Sequence, residues 1–306
     1  MKKYVIATLL ALSTLGAYAA PANDAPAADC EGVKFATGPK GKGYSTLYAD
    51  LNKLLGGKVA MCELNTTGGL DNLNALSTKD ADIGIVQIDT WNDMKNGDEN
   101  IANLQAVMPL NSNYLHIVTS VNGIQGEKKF GLIKGDVKMI NRFSDLRGQR
   151  VAVVGSAQLL GRKLEKSVGY GMQFIDSKSD AEAFDMVRKG QVAAAMTVSG
   201  WPSGTVKQLS QADGLTLVPF DAPIGEPYKV KALNYKNIAV YNNNSLAIPN
   251  VLVTRSFSGQ RAANVSAIQA GIVRNLTELK EGNYQPAWNE VNPNAVINGM
   301  AKFKAK

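Results

Sequence analysis

Histidine and cysteine are scarce in this chain, and their scarcity excludes several kinds of site. Of the 306 residues, one is histidine (His116) and two are cysteine (Cys30 and Cys62). A zinc site usually needs about four ligands, most of them cysteine or histidine, so we expect no metal site. The Gly-x-Ser-x-Gly elbow, the Walker loop, His-Glu-x-x-His and the EF-hand spacing are also absent from the sequence. We therefore expect no catalytic residue.

Dense runs of positive charge are nearly absent too. The formal net charge of +7 falls to +5 without Lys2 and Lys3, and the basic residues are scattered except for Lys302, Lys304 and Lys306. Nucleic-acid binding is typical of a basic stripe interleaved with aromatic residues. We find no such stripe and expect no nucleic-acid partner, although a mildly basic surface favours acidic ligands.

The one long apolar run lies at the N-terminus. Two lysines precede it, and Ala17–Ala19 ends it with a small-x-small cleavage pattern. Residues 1–19 are therefore predicted to be a cleaved secretory signal peptide, which is too short to span a membrane. Residues 20–29 are rich in Ala, Pro and Asp, and we expect a flexible lead-in there. The pattern predicts a protein exported to a bacterial periplasm.

Export bears on cofactors and on the two cysteines. Nucleotide cofactors are scarce outside the cytoplasm, so no cofactor is expected. Cys30 and Cys62 stand at the start of two successive predicted strands. An oxidising compartment permits a disulfide between them, and we predict one. Two unpaired buried thiols are the alternative.

The segment Phe35–Leu55 predicts a strand end, a glycine-rich turn and a helix. That outline is shared with nucleotide-binding loops. However, Gly38, Gly41 and Gly43 lack the order of a dinucleotide fingerprint, in which two close glycines precede a third. A glycine turn before a helix start can instead hold a small polar or anionic solute, because backbone N–H groups and the helix dipole face it. Plain turn geometry is the alternative for these glycines.

Strands and helices alternate in two similar units. The segments Lys79–Gln87 and Lys189–Met196 occupy matching places in the two units, and such alternation is typical of parallel sheets with right-handed crossovers. The apolar stretches Tyr114–Thr119 and Asn250–Thr254 are predicted to run between the units. We therefore expect two lobes facing a cleft. Lobe 1 comprises residues 30–117 plus 251–306, completed by a helix bearing an apolar face from 265 to 279, and lobe 2 comprises 118–250.

Six ordered motifs resemble the TAXI family of substrate-binding receptors, which serve one branch of TRAP-type secondary transporters. The motifs are Ala36–Tyr44, Thr66–Leu73, Ala81–Gln87, Asp145–Val153, Gly200–Pro202 and Val251–Arg255. The resemblance spans nearly the whole chain after the leader. It implies an α/β, two-lobed, type II periplasmic-binding-protein fold, with lobes joined by crossing strands and a ligand cleft between them. It also implies a small solute, often glutamate or another small organic acid, and a TRAP-type membrane permease as partner.

The sequence departs from the family at two places. The segment Gly155–Gly161 carries Gln158, Leu159 and Leu160 where the family has a Gly/Ser-rich turn, and Ala193 replaces the usual acidic residue. The first departure puts the identity of the solute in doubt. The second concerns local structure.

Candidate ligand-binding residues follow from the rule that ligands lie beyond the carboxyl ends of strands, where helices begin. The predicted set lies at such positions in both lobes. It consists of Thr37, Gly38, Gly41, Gly43, Tyr44, Thr67, Gly68, Gly69, Asn72, Gln87, Asp89, Ser156, Ala157, Gln158 and Trp201.

Several of these assignments have a structural alternative. Asp89 either lines the cleft or caps the helix that follows it. Trp201 either faces the ligand or packs in the hinge or core. Arg162 is a further candidate anion partner, whereas Lys40 and Lys42 are expected at a solvated loop tip. His116, in an apolar strand between the lobes, is expected to be a partly buried, hydrogen-bonded histidine rather than a catalyst.

The favoured function is a monomeric periplasmic receptor that captures a small, anionic organic solute, such as an amino acid or carboxylate, by closure of its lobes. It would deliver the solute to a TRAP-type permease. A ligand-sensing partner of a signalling protein is the first alternative. The second is a dehydratase-like enzyme on the same fold, which a cleft acid or histidine with a strongly shifted pKa would favour.

Overall fold

The computed structural model describes residues 30–126, 135–238 and 243–304. The predicted signal peptide (1–19) and lead-in (20–29) lie outside these residues. Within the three described ranges, no helix combines the length and the apolar character needed to cross a membrane.

Strands and helices alternate through the described chain, as the sequence pattern predicts. The strands are β1 Val33–Ala36, β2 Met61–Leu64, β3 Ile83–Gln87, β4 Gln105–Ser120, β5 Ile124–Gln125, β6 Val137–Lys138, β7 Arg150–Val154, β8 Gln173–Ser177, β9 Ala194–Ser199, β10 Leu215–Leu217, β11 Lys229–Ala232, β12 Asn244–Thr254 and β13 Ala301–Lys302. The α-helices are α1 Gly43–Leu55, α2 Gly69–Ser77, α3 Ile88–Met94, α4 Glu99–Ala102, α5 Ala157–Val168, α6 Asp180–Arg188, α7 Gly259–Arg274 and α8 Leu276–Glu281. Short 3₁₀ turns cover Phe143–Leu146, Val206–Gln208, Gln211–Asp213 and Pro286–Glu290.

In the described residues one sheet runs through the molecule in the order β2-β1-β3-β12-β4-β9-β7-β8. The triplets β2-β1-β3 and β9-β7-β8 are parallel, as βαβ crossovers require. The long strands β4 and β12 are antiparallel to each other and stand between the triplets. We call the part built on β1–β3 the first lobe and the part built on β7–β9 the second lobe. The predicted two-lobed α/β fold is confirmed.

The two crossing strands are longer than the sequence pattern indicates. Strand β4 has 16 residues and β12 has 11, because both extend from one lobe into the other and are buried in each. In the first lobe β12 pairs with β3 from Asn250 onward, and in the second lobe β4 pairs with β9 from Tyr114 onward. The lobe boundaries at residues 117 and 250 stay a prediction, which this pairing supports.

Each lobe has an apolar core on both faces of its sheet. In the first lobe α1 places Leu47, Leu51 and Leu55 against Ile268 and Ile272 of α7. These positions recur at helical spacing, so one face of each helix is buried. Burial of such side chains contributes about 1.5–3 kcal/mol each.

The sequence predicts a single C-terminal helix from the apolar positions 265 to 279. This prediction is wrong in one respect. The chain forms two helices, α7 and α8, which meet at Asn275. The amide of Asn275 donates to the carbonyl oxygen of Gly271 at 2.8 Å. Asparagine side chains that bond to nearby backbone compete with helix continuation, which accounts for the break.

A disulfide and a pair of salt bridges stabilise the first lobe at its edges. Cys30 and Cys62 form the predicted disulfide, which joins the N-terminal segment to β2. At the start of β3 the buried carboxylate of Asp82 is paired with Arg255 and Arg261, each at 2.7 Å.

Candidate functional site

The loops after β1 and β2 contact each other just before the first two helix starts predicted from the sequence. Gly38 and Gly68 have φ values of +126° and +144°, which side-chain-bearing residues rarely adopt. The N–H of Thr66 donates to the carbonyl oxygen of Gly38 at 3.2 Å. A Cβ added to Gly38 would lie 3.7 Å from the Cα of Gly68 and 3.8 Å from the Tyr44 ring. Space would therefore admit a Cβ at Gly38, and it is the positive φ at both positions that requires glycine.

Gln87 ends β3 and lies against the start of α2. Its side chain is 3% exposed, and its Oε1 lies 3.8 Å from the position a Cβ on Gly69 would occupy. Among the described residues the Gln87 amide has no hydrogen-bond partner, although it is not sealed from solvent. Buried amides nearly always have partners. Gln87 therefore offers a free donor and acceptor beside a helix start in the cleft.

A network of asparagines on the crossing strands holds Tyr44 in place. The Tyr44 hydroxyl donates to Asn250 Oδ1 and accepts from Asn113 Nδ2, both at 2.8 Å. Asn250 also donates to Asn113 at 3.1 Å and to Asn111 at 3.5 Å. Burial raises the pKa of Tyr44, so its hydroxyl stays neutral. The sequence analysis missed the three asparagines, although carboxamides inside apolar strands are an unusual pattern that could have indicated them.

Asp89 is buried at the start of α3 and makes a contact between the lobes. Its Oδ1 accepts from the N–H of Thr90 at 2.8 Å, and its Oδ2 accepts from the hydroxyl of Tyr228 at 3.0 Å. Desolvation raises the pKa of Asp89, while the charge of Lys163 and the Tyr228 hydrogen bond lower it in part. The N-cap residue is Gln87, and Asp89 stands in the first turn, where its carboxylate accepts from a backbone N–H of the helix start as well as from Tyr228.

A salt bridge joins the same two elements at the surface. Lys163 of α5 lies 2.9 Å from Asp93 of α3, and its ammonium lies 5.7 Å from the centre of the Tyr228 ring. Both side chains are about one-third exposed. Helices α3 and α5 are therefore held together in the conformation seen here.

In the second lobe, α5 begins at Ala157 just beyond the end of β7. Ala157 is buried in the core, while Ser156 and Gln158 are partly exposed and their side chains have no hydrogen bond in the described part of the chain. Arg162 donates to the carbonyl of Gln158 and forms a bidentate pair with Asp176 at 2.9 and 3.0 Å. The hypothesis that Arg162 binds an anionic ligand is therefore not favoured, because its charge is already paired.

Trp201 follows the end of β9 and is partly buried. Its indole Nε1 is sealed from solvent and has no hydrogen-bond partner among the described residues. The ammonium of Lys231 lies 5.6 Å from the indole ring centre. The ring packs against a core of the second lobe.

Other predicted site residues have their polar groups engaged or exposed. Asn72 is fully buried and donates to the carbonyls of Ile85, at 2.7 Å, and Thr37, at 3.3 Å. Thr37 donates to Glu63 at 2.8 Å. Both side chains thus fix the strand ends. The remaining three, Gly41, Gly43 and Thr67, are exposed, and the Thr67 hydroxyl donates to Asp71. Lys40 and Lys42 are exposed at the loop tip.

His116 is the hydrogen-bonded histidine that the sequence predicts, and its burial is nearly complete. It is 1% exposed and its Nε2 lies 2.7 Å from the hydroxyl of Tyr235. Desolvation lowers its pKa to about 4, so the imidazole is neutral near pH 7. Across residues 30–126, 135–238 and 243–304, no group of three or more His, Cys, Asp or Glu side chains is placed to hold a metal ion.

Two α/β lobes joined by the crossing strands β4 and β12 define a periplasmic-binding-protein fold. Solved structures agree. Tv2483 bound to L-arginine has a TM-score of 0.54 at 10% identity, covering 87% of this chain and 94% of that one. An amino acid ABC transporter substrate-binding protein from Streptococcus pneumoniae, bound to L-arginine, has a TM-score of 0.51 at 10% identity, covering 84% and 94%. The GluR0 ligand-binding core with L-glutamate has a TM-score of 0.51 at 10% identity, covering 85% and 98%.

A family model described as the NMT1-like family matches residues 35–301. This range is most of the chain, and the chain therefore belongs to the NMT1-like family. The narrower resemblance to TAXI receptors stays a prediction.

Proposed function

We propose that this protein is a solute-binding receptor whose cleft closes on a small organic solute. The observation that carries the proposal is the Gln87 side chain, which lies beside the start of α2 in a residue that is only 3% exposed, reaches solvent and has no hydrogen-bond partner among the described residues. A binding protein needs such unpaired polar groups in a concave site that is otherwise packed. A reaction would need a reactive group as well, and we propose no catalytic step.

The proposed ligand contacts come from both lobes. In the first lobe they are Gln87, the glycine backbone at 38, 68 and 69, and the Tyr44 hydroxyl. In the second lobe they are the start of α5 at Ser156–Gln158 and the ring of Trp201. Asn72 and Thr37 position these elements through their own hydrogen bonds.

The charges in the cleft favour a solute that carries both signs. The starts of α1, α2 and α5 present backbone N–H groups and favour a carboxylate. Asp89 is a buried carboxylate whose direct partners are neutral, namely the Thr90 N–H and the Tyr228 hydroxyl. A ligand ammonium group would compensate it. An amino acid satisfies both requirements, and the three similar structures are described with L-arginine or L-glutamate bound.

The location and the transporter complete the proposal. The family match, the disulfide and the N-terminal leader pattern support a periplasmic protein. Delivery to a TRAP-type permease rests on the TAXI resemblance. The similar Streptococcus pneumoniae protein belongs to an ABC transporter, so the class of permease is a separate question, which uptake assays with each permease class would decide.

A thermal-shift panel tests the proposal. Purified protein is screened against amino acids and small carboxylates, and we expect at least one to raise the melting temperature, because a ligand that binds the native state stabilises it by mass action. Gln87→Ala should reduce that shift. The exposed Gln191→Ala in the second lobe is the matched control and should leave it unchanged. A shift that is equal in all three proteins would count against the site, and no shift across the panel would count against the function.

A further inference from the structure

Glu290 lies where the first lobe meets the back of the crossing strands. It ends the 3₁₀ turn Pro286–Glu290, whose Trp288 is buried in the first-lobe core. The Glu290 carboxylate is 16% exposed. It is therefore a largely buried acid, and such groups persist only when their charge is compensated.

Three donors from β4 and β11 compensate this carboxylate. The hydroxyl of Tyr114 lies 2.7 and 2.8 Å from its two oxygens, and the N–H of Ser112 donates at 3.2 Å. The ammonium of Lys231 lies 2.6 Å from Oε1 and 3.0 Å from the Tyr114 hydroxyl. Lys231 also lies 5.3 Å from the centre of the Tyr114 ring. We call Glu290, Tyr114 and Lys231 the hinge cluster.

The hinge cluster joins the two lobes. Tyr114 is buried in a core of the second lobe together with Ala247 of β12. Lys231 belongs to β11, which pairs with the second-lobe part of β12. Glu290 belongs to the first lobe. The Lys231–Glu290 ion pair therefore crosses the hinge and joins two residues that are 59 positions apart in the chain.

A second set of interlobe contacts lies on the other face of the second-lobe sheet. Tyr228 and the helix α5 that carries Lys163 pack on the core containing Leu115 and Ile117. Tyr114 points the opposite way, because successive side chains of a strand alternate between faces. The Asp89–Tyr228 and Asp93–Lys163 contacts are therefore on one face, and the hinge cluster is on the other.

From this geometry we propose that the Lys231–Glu290 ion pair fixes the angle between the lobes, and that Glu290 is a positioning residue for ligand binding. Contacts on opposite faces resist rotation about β4 and β12 in both senses. Without the ion pair the lobes would sample a wider range of interlobe angles, and the binding-competent angle would be populated less. The effect on affinity rests on the proposed function, whereas the effect on the angle does not.

The test measures the interlobe distance directly. Spin labels are placed at exposed positions of α1 and α5 through Asn52→Cys and Ser167→Cys, and the distance distribution is recorded by pulsed EPR without ligand. Glu290→Gln keeps an acceptor for Tyr114 but removes the charge, and Lys231→Met keeps the aliphatic stem. Lys229→Met, on the same strand and outside every ion pair found in the described residues, is the control.

We expect both hinge-cluster variants to broaden the distance distribution, while the control matches the parent. The affinity of both variants for a solute from the thermal-shift panel should fall about threefold to tenfold, since an ion pair with a half-exposed partner contributes on the order of 1 kcal/mol. Unchanged distance distributions in both variants would overturn the proposal even if a solute binds. Changed distributions support it even if no solute is found, in which case only the proposed function fails.

Discussion

The hydroxyl of Tyr228 donates a hydrogen bond to the buried carboxylate of Asp89 at 3.0 Å, between residues 139 positions apart in the chain. The contact closes the two lobes on each other at the start of α3. It also changes both groups, since burial and the neighbouring Asp89 charge raise the pKa of Tyr228. Because Asp89 is desolvated, its hydrogen bonds are more valuable than those of an exposed acid.

Replacement of Tyr228 by Phe should destabilise the protein and raise the pKa of Asp89 further. The hydrogen bond from Tyr228 stabilises the charged form of Asp89. Its removal should therefore lower the free energy of unfolding by about 1–3 kcal/mol at pH 7. A group whose native pKa is raised contributes stability at low pH that is lost as the pH rises through that pKa. The cost of Tyr228→Phe should accordingly shrink in acid, where Asp89 is neutral.

Urea unfolding at several pH values, with NMR titration of the Asp89 carboxyl, measures both effects. Tyr170→Phe is the matched control. The Tyr170 ring packs on Phe143 and Arg147, and within the described ranges its hydroxyl makes no hydrogen bond. Equal losses in the two variants, or a cost independent of pH, would refute the assignment.

His116 should titrate far below an ordinary histidine. Its burial lowers the native pKa to about 4 from an ordinary 6.5. The unfolded chain therefore binds a proton between these values that the native state does not, and stability falls as the pH drops through that window. The loss from this group reaches about 3 kcal/mol at the acid end. As the only histidine in the chain, His116 gives an unambiguous imidazole NMR signal, and a native pKa above 6 would contradict its placement.

The disulfide should stabilise the first lobe. Cys30 and Cys62 are 32 residues apart, and the chain-entropy account gives about 4 kcal/mol for a loop of that length. We expect the double variant Cys30→Ala/Cys62→Ala to lose about 2–4 kcal/mol of unfolding free energy. Thiol titration of the denatured wild type checks the bond itself, since two reactive thiols without reductant would show that it is absent.

Asp82 should be among the charged residues most costly to neutralise. Its carboxylate is 1% exposed and is shared by Arg255, Arg261 and the N–H of Lys34. Breaking a buried pair leaves uncompensated charge, so Asp82→Asn should cost about 3 kcal/mol. The exposed Asp185, paired with Lys189 on α6, is the contrast, and Asp185→Asn should be near neutral. Chemical denaturation of both variants measures these costs. An Asp82→Asn variant with a nearly unchanged free energy of unfolding would show that the pairing contributes little.

Much of the fold could be predicted from the sequence because its patterns are local. The 3.6-residue spacing of Leu47, Leu51 and Leu55 on α1 needs only the helix period. The crossing strands were predicted too short because their extra residues, such as Asn111 and Asn113, are polar. Their burial depends on partners far along the chain, Tyr44 and Asn250, which periodicity does not reveal.

The site was harder to predict than the fold for a related reason. Helix starts and glycine turns mark where a ligand can lie, and Gln87 was proposed as a site residue in this way. Which polar groups remain free depends on tertiary contacts. Asn72 and Gln87 look alike in the sequence, yet the Asn72 amide donates to two backbone carbonyls and accepts from the Thr66 hydroxyl, while the Gln87 amide has no partner among the described residues. Glu290 and Lys231 carried no motif at all.

Isothermal titration calorimetry measures whether the Gln87 side chain contributes to solute binding. The wild type, Gln87→Ala and Gln191→Ala are titrated with the amino acid or carboxylate that gives the largest thermal shift. We predict one solute per protein for the wild type and for Gln191→Ala, and about tenfold weaker binding for Gln87→Ala, which corresponds to the loss of one or two neutral hydrogen bonds. Equal affinity of Gln87→Ala and the wild type would contradict the account.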